Sequence, residues 1–282
     1  MDQRIHTPYF TAWVHNIWIE QNVMLYPFSV TDTWALHYWL ARKIPAVLDQ
    51  GNVVMVDDCT LFYLTAAEYT AWPIIGNAVS FHINFTSNSM QEYASNIITG
   101  QQGVRLSPKN ESRLINPVPF SLNPVTYRII KRVLTCPFKS TVAEIYQARN
   151  CKNLLDIYLH QLVSETGHFR LLYSLRQVLL NIREYAQYHP DKFTAYEEVA
   201  KANRINVDTL RTGFENYFHT PLHTYVLQEK LNTAFHLLAS SGKQFFEISR
   251  MVGYKHPHFM NHDFEQYFGY PMDYIRGKAM EK

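Results

Sequence analysis

Phe214-Glu215-Asn216-Tyr217-Phe218-His219-Thr220-Pro221 recurs fifty residues later as Phe264-Glu265-Gln266-Tyr267-Phe268-Gly269-Tyr270-Pro271, with five of eight positions identical. Leu210 stands against Met260, so the apolar set 210/214/218 repeats as 260/264/268 at helical spacing. Further upstream Val199-Ala200 is echoed by Ile248-Ser249. Each copy therefore reads as a short helix, a tight turn, a second helix, and a stop at Phe and Pro. That is the helix-turn-helix plan, whose second helix can lie in a DNA major groove. The segment near 221–241 joins the copies. A helix of about 20 residues spans about 30 Å, close to the roughly 34 Å between successive major grooves on one face of a duplex. Spacing alone also fits a duplicated hairpin in a helical solenoid that binds protein.

Around this repeat the chain is helical. Leu171, Leu175, Val178/Leu179, Ile182 and Tyr185 predict one buried helix face. Thr194-Ala195-Tyr196-Glu197 predicts a capping box, and Thr220 a cap followed by Pro221 at the first helical position. Leu227, Leu231, Ala234 and Leu238 predict the buried stripe of the connector, with Gly242 closing it. Upstream, residues 125–135 and 141–164 predict a helical hairpin that packs on the N-terminal half, links two domains or forms a dimer interface. The N-terminal third differs. It holds all five tryptophans (Trp13, Trp18, Trp34, Trp39, Trp72) and short β-rich runs between Pro and Gly punctuation. Residues 52–56 precede Asp57-Asp58, and Phe81, Ile83 and Phe85 alternate with His82 and Asn84, as in a half-buried strand. The expected class is α+β: a mostly-β sandwich or barrel over 1–122, a helical linker or dimerisation region over 123–169, and an all-α domain with two helix-turn-helix motifs over 170–282.

Composition narrows the function. Of 282 residues 47% are hydrophobic and 18% charged, which excludes a disordered chain, and a formal charge of +2 excludes a polybasic one. No run approaches the 18 apolar residues of a membrane span. Met1 to Trp13 lacks a basic segment followed by an apolar one, and Cys59, Cys136 and Cys151 form no C-x-x-C pair. A cytoplasmic location is expected. There is no G-x-S-x-G, P-loop or G-x-G-x-x-G, and His6, His15, His37, His82 and His160 make no H-x-H pair. Neither catalysis, a cofactor nor a bound metal is expected. Trp34, Trp39, Trp72 and Tyr63 suit either a core or the walls of a pocket for a flat ligand, and no ligand-binding residue is assigned.

Residues 171–276 resemble the two-motif DNA-binding domain of AraC/XylS-type bacterial transcription regulators. The first motif carries Val199-Ala200, Asn206, Leu210, Phe214, Tyr225, Lys230-Leu231 and Ala234 in that family's spacing. The second carries Ile248, Gly253-Tyr254, Phe264, Phe268-Gly269, Pro271 and Tyr274. Asn206, Leu210 and Gly213-Phe214, with Val133 to Phe138, Ile145-Tyr146 and Leu154-Leu155, are similar to the siderophore-uptake branch typified by the pyochelin regulator. The resemblance implies a cupin-like effector-sensing N-terminal half and double-stranded DNA as partner. It also implies a small-molecule effector such as a ferric siderophore, activation through RNA polymerase, and a homodimer. The chain departs from the pattern at Arg204 and His219, where glycines are usual, at Thr212, where an arginine is frequent, and in a shortened Gly269–Pro271 turn.

With Leu210, Phe214 and Phe218 buried, the first reading helix would present Asp208, Arg211, Thr212 and Glu215, flanked by Asn206 as a cap and by Thr209. Arg211 suits a guanine edge, and the exposed helix N-terminus suits a phosphate. In the second copy Lys255, His256, His258, Asn261 and His262 form the equivalent face. His258 and His262 share a helix face, a spacing that also occurs in metal sites. From Arg170 onward fourteen Lys and Arg stand against twelve Asp and Glu, a weak excess for a DNA binder. The alternative is a non-catalytic module of the same fold that acts through protein contacts with weakened DNA binding.

Overall fold

In the computed structural model the described residues are 3–7, 10–21, 31–41, 45–47, 53–55, 59–66, 70–71, 76–95, 106–107, 111–116, 120–164, 173–193 and 195–281. They fall into two compact units: Met1–Leu134 with Asn153–Val163, and Thr135–Lys152 with Ser164–Lys282.

The first unit is built on antiparallel strands. They are β1 (Gln3–His6), β2 (Phe10–Ile19), β3 (Thr33–Ala41), β4 (Pro45–Val47), β5 (Val53–Met55), β6 (Cys59–Leu64), β7 (Thr70–Ala71), β8 (Gly76–Phe85) and β9 (Arg113–Leu114). They form a six-stranded sheet in the order β1-β2-β8-β3-β6-β9 and a three-stranded sheet β5-β4-β7. The long strands alternate, so each has two unlike faces. On one face Trp34, Leu36, Tyr38, Phe81, Ile83 and Phe85 are buried. The Tyr38 hydroxyl donates to Leu154 O at 3.2 Å, in the second half of the helix Ser140–Ser164. Asn116 is fully buried with its amide hydrogen-bonded: Oδ1 accepts from Leu61 N (3.1 Å) and from the Tyr158 hydroxyl (2.8 Å), and Nδ2 donates to Cys59 O (3.3 Å). Such bonds remove most of the cost of burying an amide.

The other face gathers imidazoles and indoles. The register sets His82 opposite both Trp13 and His37. Ring centroids lie 4.9 Å apart for His15–His82, 5.2 Å for His37–His82 and 4.1 Å for His37–Trp39, and Trp13 stacks near His15. Trp34 and Tyr63 are core residues whose rings meet at 4.8 Å on the first face, so they cannot share a pocket wall with Trp39. Trp72 lies outside the described residues. The strand expected over 52–56 is described only as Val53–Met55.

Helices complete this unit and make up the second. They are α1 (Ser87–Ser95), α2 (Pro124–Leu134), α3 (Ser140–Ser164), α4 (Tyr173–Tyr188), α5 (Tyr196–Ala202), α6 (Val207–Phe218), α7 (Leu222–Ser240), α8 (Phe245–Met251), α9 (Pro257–Phe268) and α10 (Met272–Met280). Asn123 caps α2 by accepting from Val125 N and Thr126 N, and Val125, Ile129, Ile130 and Val133 form its buried stripe. The boundary between the units falls within α3. Its first turns enter the second unit's core, where Val142, Ile145 and Tyr146 cluster with Phe235, Leu238, Phe264 and Phe268. Arg149 covers the Tyr267 ring with its guanidinium carbon 4.0 Å from the centroid.

Three boundaries differ from those read in the sequence. Helix α5 has Ala195 as N-cap without a side-chain cap bond, and Thr194 lies outside the described residues. The capping box belongs instead to α8, where Gln244 N donates to Glu247 Oε2 at 2.7 Å and both reciprocal bonds are present. Helix α7 takes Pro221 as N-cap rather than Thr220, and ends with extended Ser241, not Gly242, as C-cap. Helix α4 buries Leu179, Ile182 and Ala186, while Tyr185, expected on that face, is exposed because the stripe shifts by one residue. Leu171 lies outside the described residues.

Candidate nucleic-acid interface

The duplication seen in sequence is a duplication of backbone. Helix α5 ends with Arg204 N donating to Lys201 O (3.2 Å) and Ile205 N to Ala200 O (3.0 Å). Helix α8 ends with Gly253 N donating to Arg250 O (3.1 Å) and Tyr254 N to Ser249 O (2.8 Å). Both turns need one left-handed residue, Arg204 at φ 56° and Gly253 at φ 82°. This closure satisfies the last helix carbonyls and reverses the chain within three residues. The second helices end alike, through left-handed His219 and Gly269 whose N–H groups donate to Glu215 O (2.7 Å) and Glu265 O (2.8 Å). Pro221 and Pro271 then serve as extended N-caps of α7 and α10.

Arg204 is exposed and carries the strain of a side chain at positive φ. Arg204→Gly is expected to raise stability by about 0.5–1 kcal/mol in urea denaturation. A loss of stability would show that its guanidinium supports the fold.

The cores of the two motifs match as well. Leu210, Phe214 and Phe218 are fully buried, as are Met260 and Phe264, with Phe268 nearly so. Ring centroids are 4.5 Å apart in Phe214–Phe218 and 4.6 Å in Phe264–Phe268. This packing holds α6 and α9 against their own motifs and turns the opposite side of each outward.

On α6, Asp208, Arg211, Thr212 and Glu215 are exposed and Thr209 is half-buried. Asn206 is the N-cap, its Oδ1 accepting from Thr209 N at 2.6 Å. Arg211 lies 3.9 Å from Asp208, and its guanidinium carbon is 5.6 Å from the Tyr196 ring centroid. The side chains are 57% and 91% exposed, so water screens that pair and a stronger acceptor can displace it. Thr212 spends its hydroxyl proton on Asp208 O at 2.6 Å.

On α9, Lys255, His256, His258 and His262 are exposed around its N-terminal half, with His256 as N-cap and Pro257 first in the helix. Asn261 is committed elsewhere: its Oδ1 accepts from Met272 N at 3.0 Å and so caps α10. Asp263 turns inward to accept from the Tyr254 hydroxyl at 2.7 Å. Burial, reinforced by the Asp263 carboxylate, pushes the Tyr254 hydroxyl upward, so it remains a donor. Two residues on these faces escaped the sequence reading. Tyr196 bonds the start of α7 by accepting from His223 N at 3.0 Å, and Phe259 is 59% exposed on α9. No periodic signal marks either, because each departs from its helix's apolar stripe.

A cavity of about 270 Å³ lies between the motifs, lined in part by Tyr196, His223, Lys230, Tyr254 and Asp263. Burial lowers the Lys230 pKa, while Asp191 and Asp263 oppose that shift. Among the described residues no group of three or more His, Cys, Asp or Glu side chains is arranged to hold a metal ion. None of the described helices is long and apolar enough to cross a membrane.

Residues 199–277 match the family model for a helix-turn-helix domain. Among solved structures the chain is similar to an apo variant of ToxT from Vibrio cholerae, at 9% identity and a TM-score of 0.40, over 96% of this chain and 98% of that one. Wild-type ToxT with an unsaturated fatty acid bound gives 9% identity and a TM-score of 0.36, over 97% of each chain. A transcriptional regulator with an AraC-type DNA-binding domain, from Chromobacterium violaceum, gives 17% identity and a TM-score of 0.35, over 38% of this chain and 95% of that one. No curated protein matches the sequence.

Proposed function

We propose that the chain is a bacterial transcription regulator of AraC type. In this reading residues 170–282 bind duplex DNA through α6 and α9, residues 1–122 sense a small molecule, and 123–169 connect the two. The observation that carries it is the paired turn, closed twice by the same backbone bonds and each time leaving an outward helix face. Arg211 is the principal base reader, with Asn206, Asp208, Thr209 and Thr212 around it. Lys255, His256, His258 and His262 serve the second motif, Lys255 and His256 by phosphate contact at the start of α9, while Asn261, expected from the sequence on that face, is spent on capping α10. A ferric siderophore is the proposed effector, on the resemblance to the siderophore-uptake branch. Binding it would shift the population toward a DNA-competent form. Cytoplasmic location, homodimerisation and contact with RNA polymerase complete the proposal.

The test is to sequence genomic fragments retained by the purified full chain, with and without ferric chelates, and then to measure affinity for the enriched site. Arg211→Ala is expected to weaken binding by about 5- to 150-fold, the value of one bidentate base contact of about 1–3 kcal/mol. Affinity is also expected to fall steeply from 50 to 300 mM salt. A retained site that ignores both changes would favour the protein-contact module, for which the near balance of charge in the helical half speaks.

A further inference from the structure

From the exposed ring of Phe259 between His256 and His258, we infer that the second reading helix selects its base by apolar contact with the 5-methyl group of thymine. This inference rests on the DNA-binding reading above and names what one half of that surface recognises.

Part of the polar face of α9 is turned into the fold. Asn261 occupies the position equivalent to Arg211, but its Oδ1 caps α10 through Met272 N. Asp263 is held by Tyr254. Two polar side chains that would read hydrogen-bonding edges are thus drawn into the fold. Phe259 stays out, in the first turn of α9, where a reading helix meets base edges. Its counterpart in α6 is Thr209, half-buried and with its N–H capped by Asn206, so the two motifs differ in what they present.

The ring is positioned as well as exposed. Its centroid lies 6.2 Å from that of His256 and 5.9 Å from that of His258, and Pro257 stiffens the backbone between them. Lys255 stands beside this patch, exposed, supplying charge that suits a phosphate backbone rather than an apolar protein partner. In the major groove the one apolar feature on a base pair is the thymine methyl, and phenylalanine is among the side chains that contact it.

The experiment uses the full-length protein and a duplex selected from a random pool. Each thymine of the site is replaced in turn by deoxyuridine, which removes only the methyl group. Wild type, Phe259→Ala and Phe246→Ala are compared, the last being an exposed phenylalanine on α8, outside the reading helix. At one or two thymines the wild type and Phe246→Ala are expected to lose about fourfold in affinity, the value of one buried methyl group, and Phe259→Ala to lose nothing further. Wild-type binding that is Arg211-dependent yet indifferent to every such replacement overturns this inference alone. Sensitivity in Phe259→Ala as large as in the wild type assigns the methyl contact to another residue and overturns the inference too. Failure to select any duplex removes the DNA-binding reading and this inference with it.

Discussion

Gly253→Ala is expected to destabilise the helical unit by about 3 kcal/mol or more, and with it to abolish DNA binding. Two costs combine at this position. The residue sits at φ 82°, where a side chain meets its own carbonyl, worth about 1 kcal/mol. A Cβ there would also lie 2.7 Å from both Cα and O of Asp191 and 3.1 Å from its carbonyl carbon. Those are backbone atoms of the 3-10 turn Pro190–Lys192, so no rotamer change relieves the clash. Either the turn beneath α8 or the Asp191 segment must move, and Asp191 is one of the carboxylates that support the charge of Lys230. Gly269→Ala supplies the control. It has nearly the same φ, 79°, but open space around the added carbon, so only the backbone cost of about 1 kcal/mol is expected. Equal effects of the two substitutions in urea denaturation would show that close approach to Asp191 does not matter.

Acid is expected to destabilise the β-rich unit well before its carboxylates titrate. His37 is pushed down to about 3 by burial and then by His15, and its Nε2 is buried without a partner. His82 is driven well below its ordinary value by burial and by His37 and His15. The groups that face one another are these three imidazoles on β2, β3 and β8, with Trp13 and Trp39 beside them. As pH falls below about 6.5 the unfolded chain takes up protons that the folded unit refuses, so stability declines toward pH 3. His37 alone accounts for about 2 kcal/mol lost between pH 7.5 and 5. His37→Phe keeps a ring in the cluster but removes one titrating site. Between pH 6 and 4 it should lower the mean slope of stability against pH by about 1.2 kcal/mol per unit, measured by denaturation followed through tryptophan fluorescence. An unchanged slope would mean that the imidazole is hydrated in solution.

Much of the helical half was legible because its information is local. The 210/214/218 and 260/264/268 stripes are one-dimensional periodicities, and all six residues are buried in the structure. The left-handed positions at Arg204 and His219 could be placed by aligning the repeat with Gly269 and the family pattern. Caps were read less well. Thr220 yields to Pro221, and the box at Gln244 and Glu247 went unread because Gln is an uncommon N-cap. The β-rich half yielded its class and the β8 alternation, but not its clusters. His15, His37 and His82 are far apart in the chain, and only the β2-β8-β3 order brings their rings together.

The amino-acid order by itself determined that there are two helix-turn-helix copies, where each turn reverses and which stripe each second helix buries. Neighbouring residues settle those matters through backbone preference and helical period. Tertiary structure decided which outward side chains remain available. Asn261 is taken by the start of α10, Asp263 by Tyr254, and the ring of Phe259 is left in solvent. It also decided that Gly253 has no room for a methyl, because the Asp191 backbone lies against it. A periodic pattern specifies a face, but only atoms distant in the chain and close in space determine what that face still has to offer.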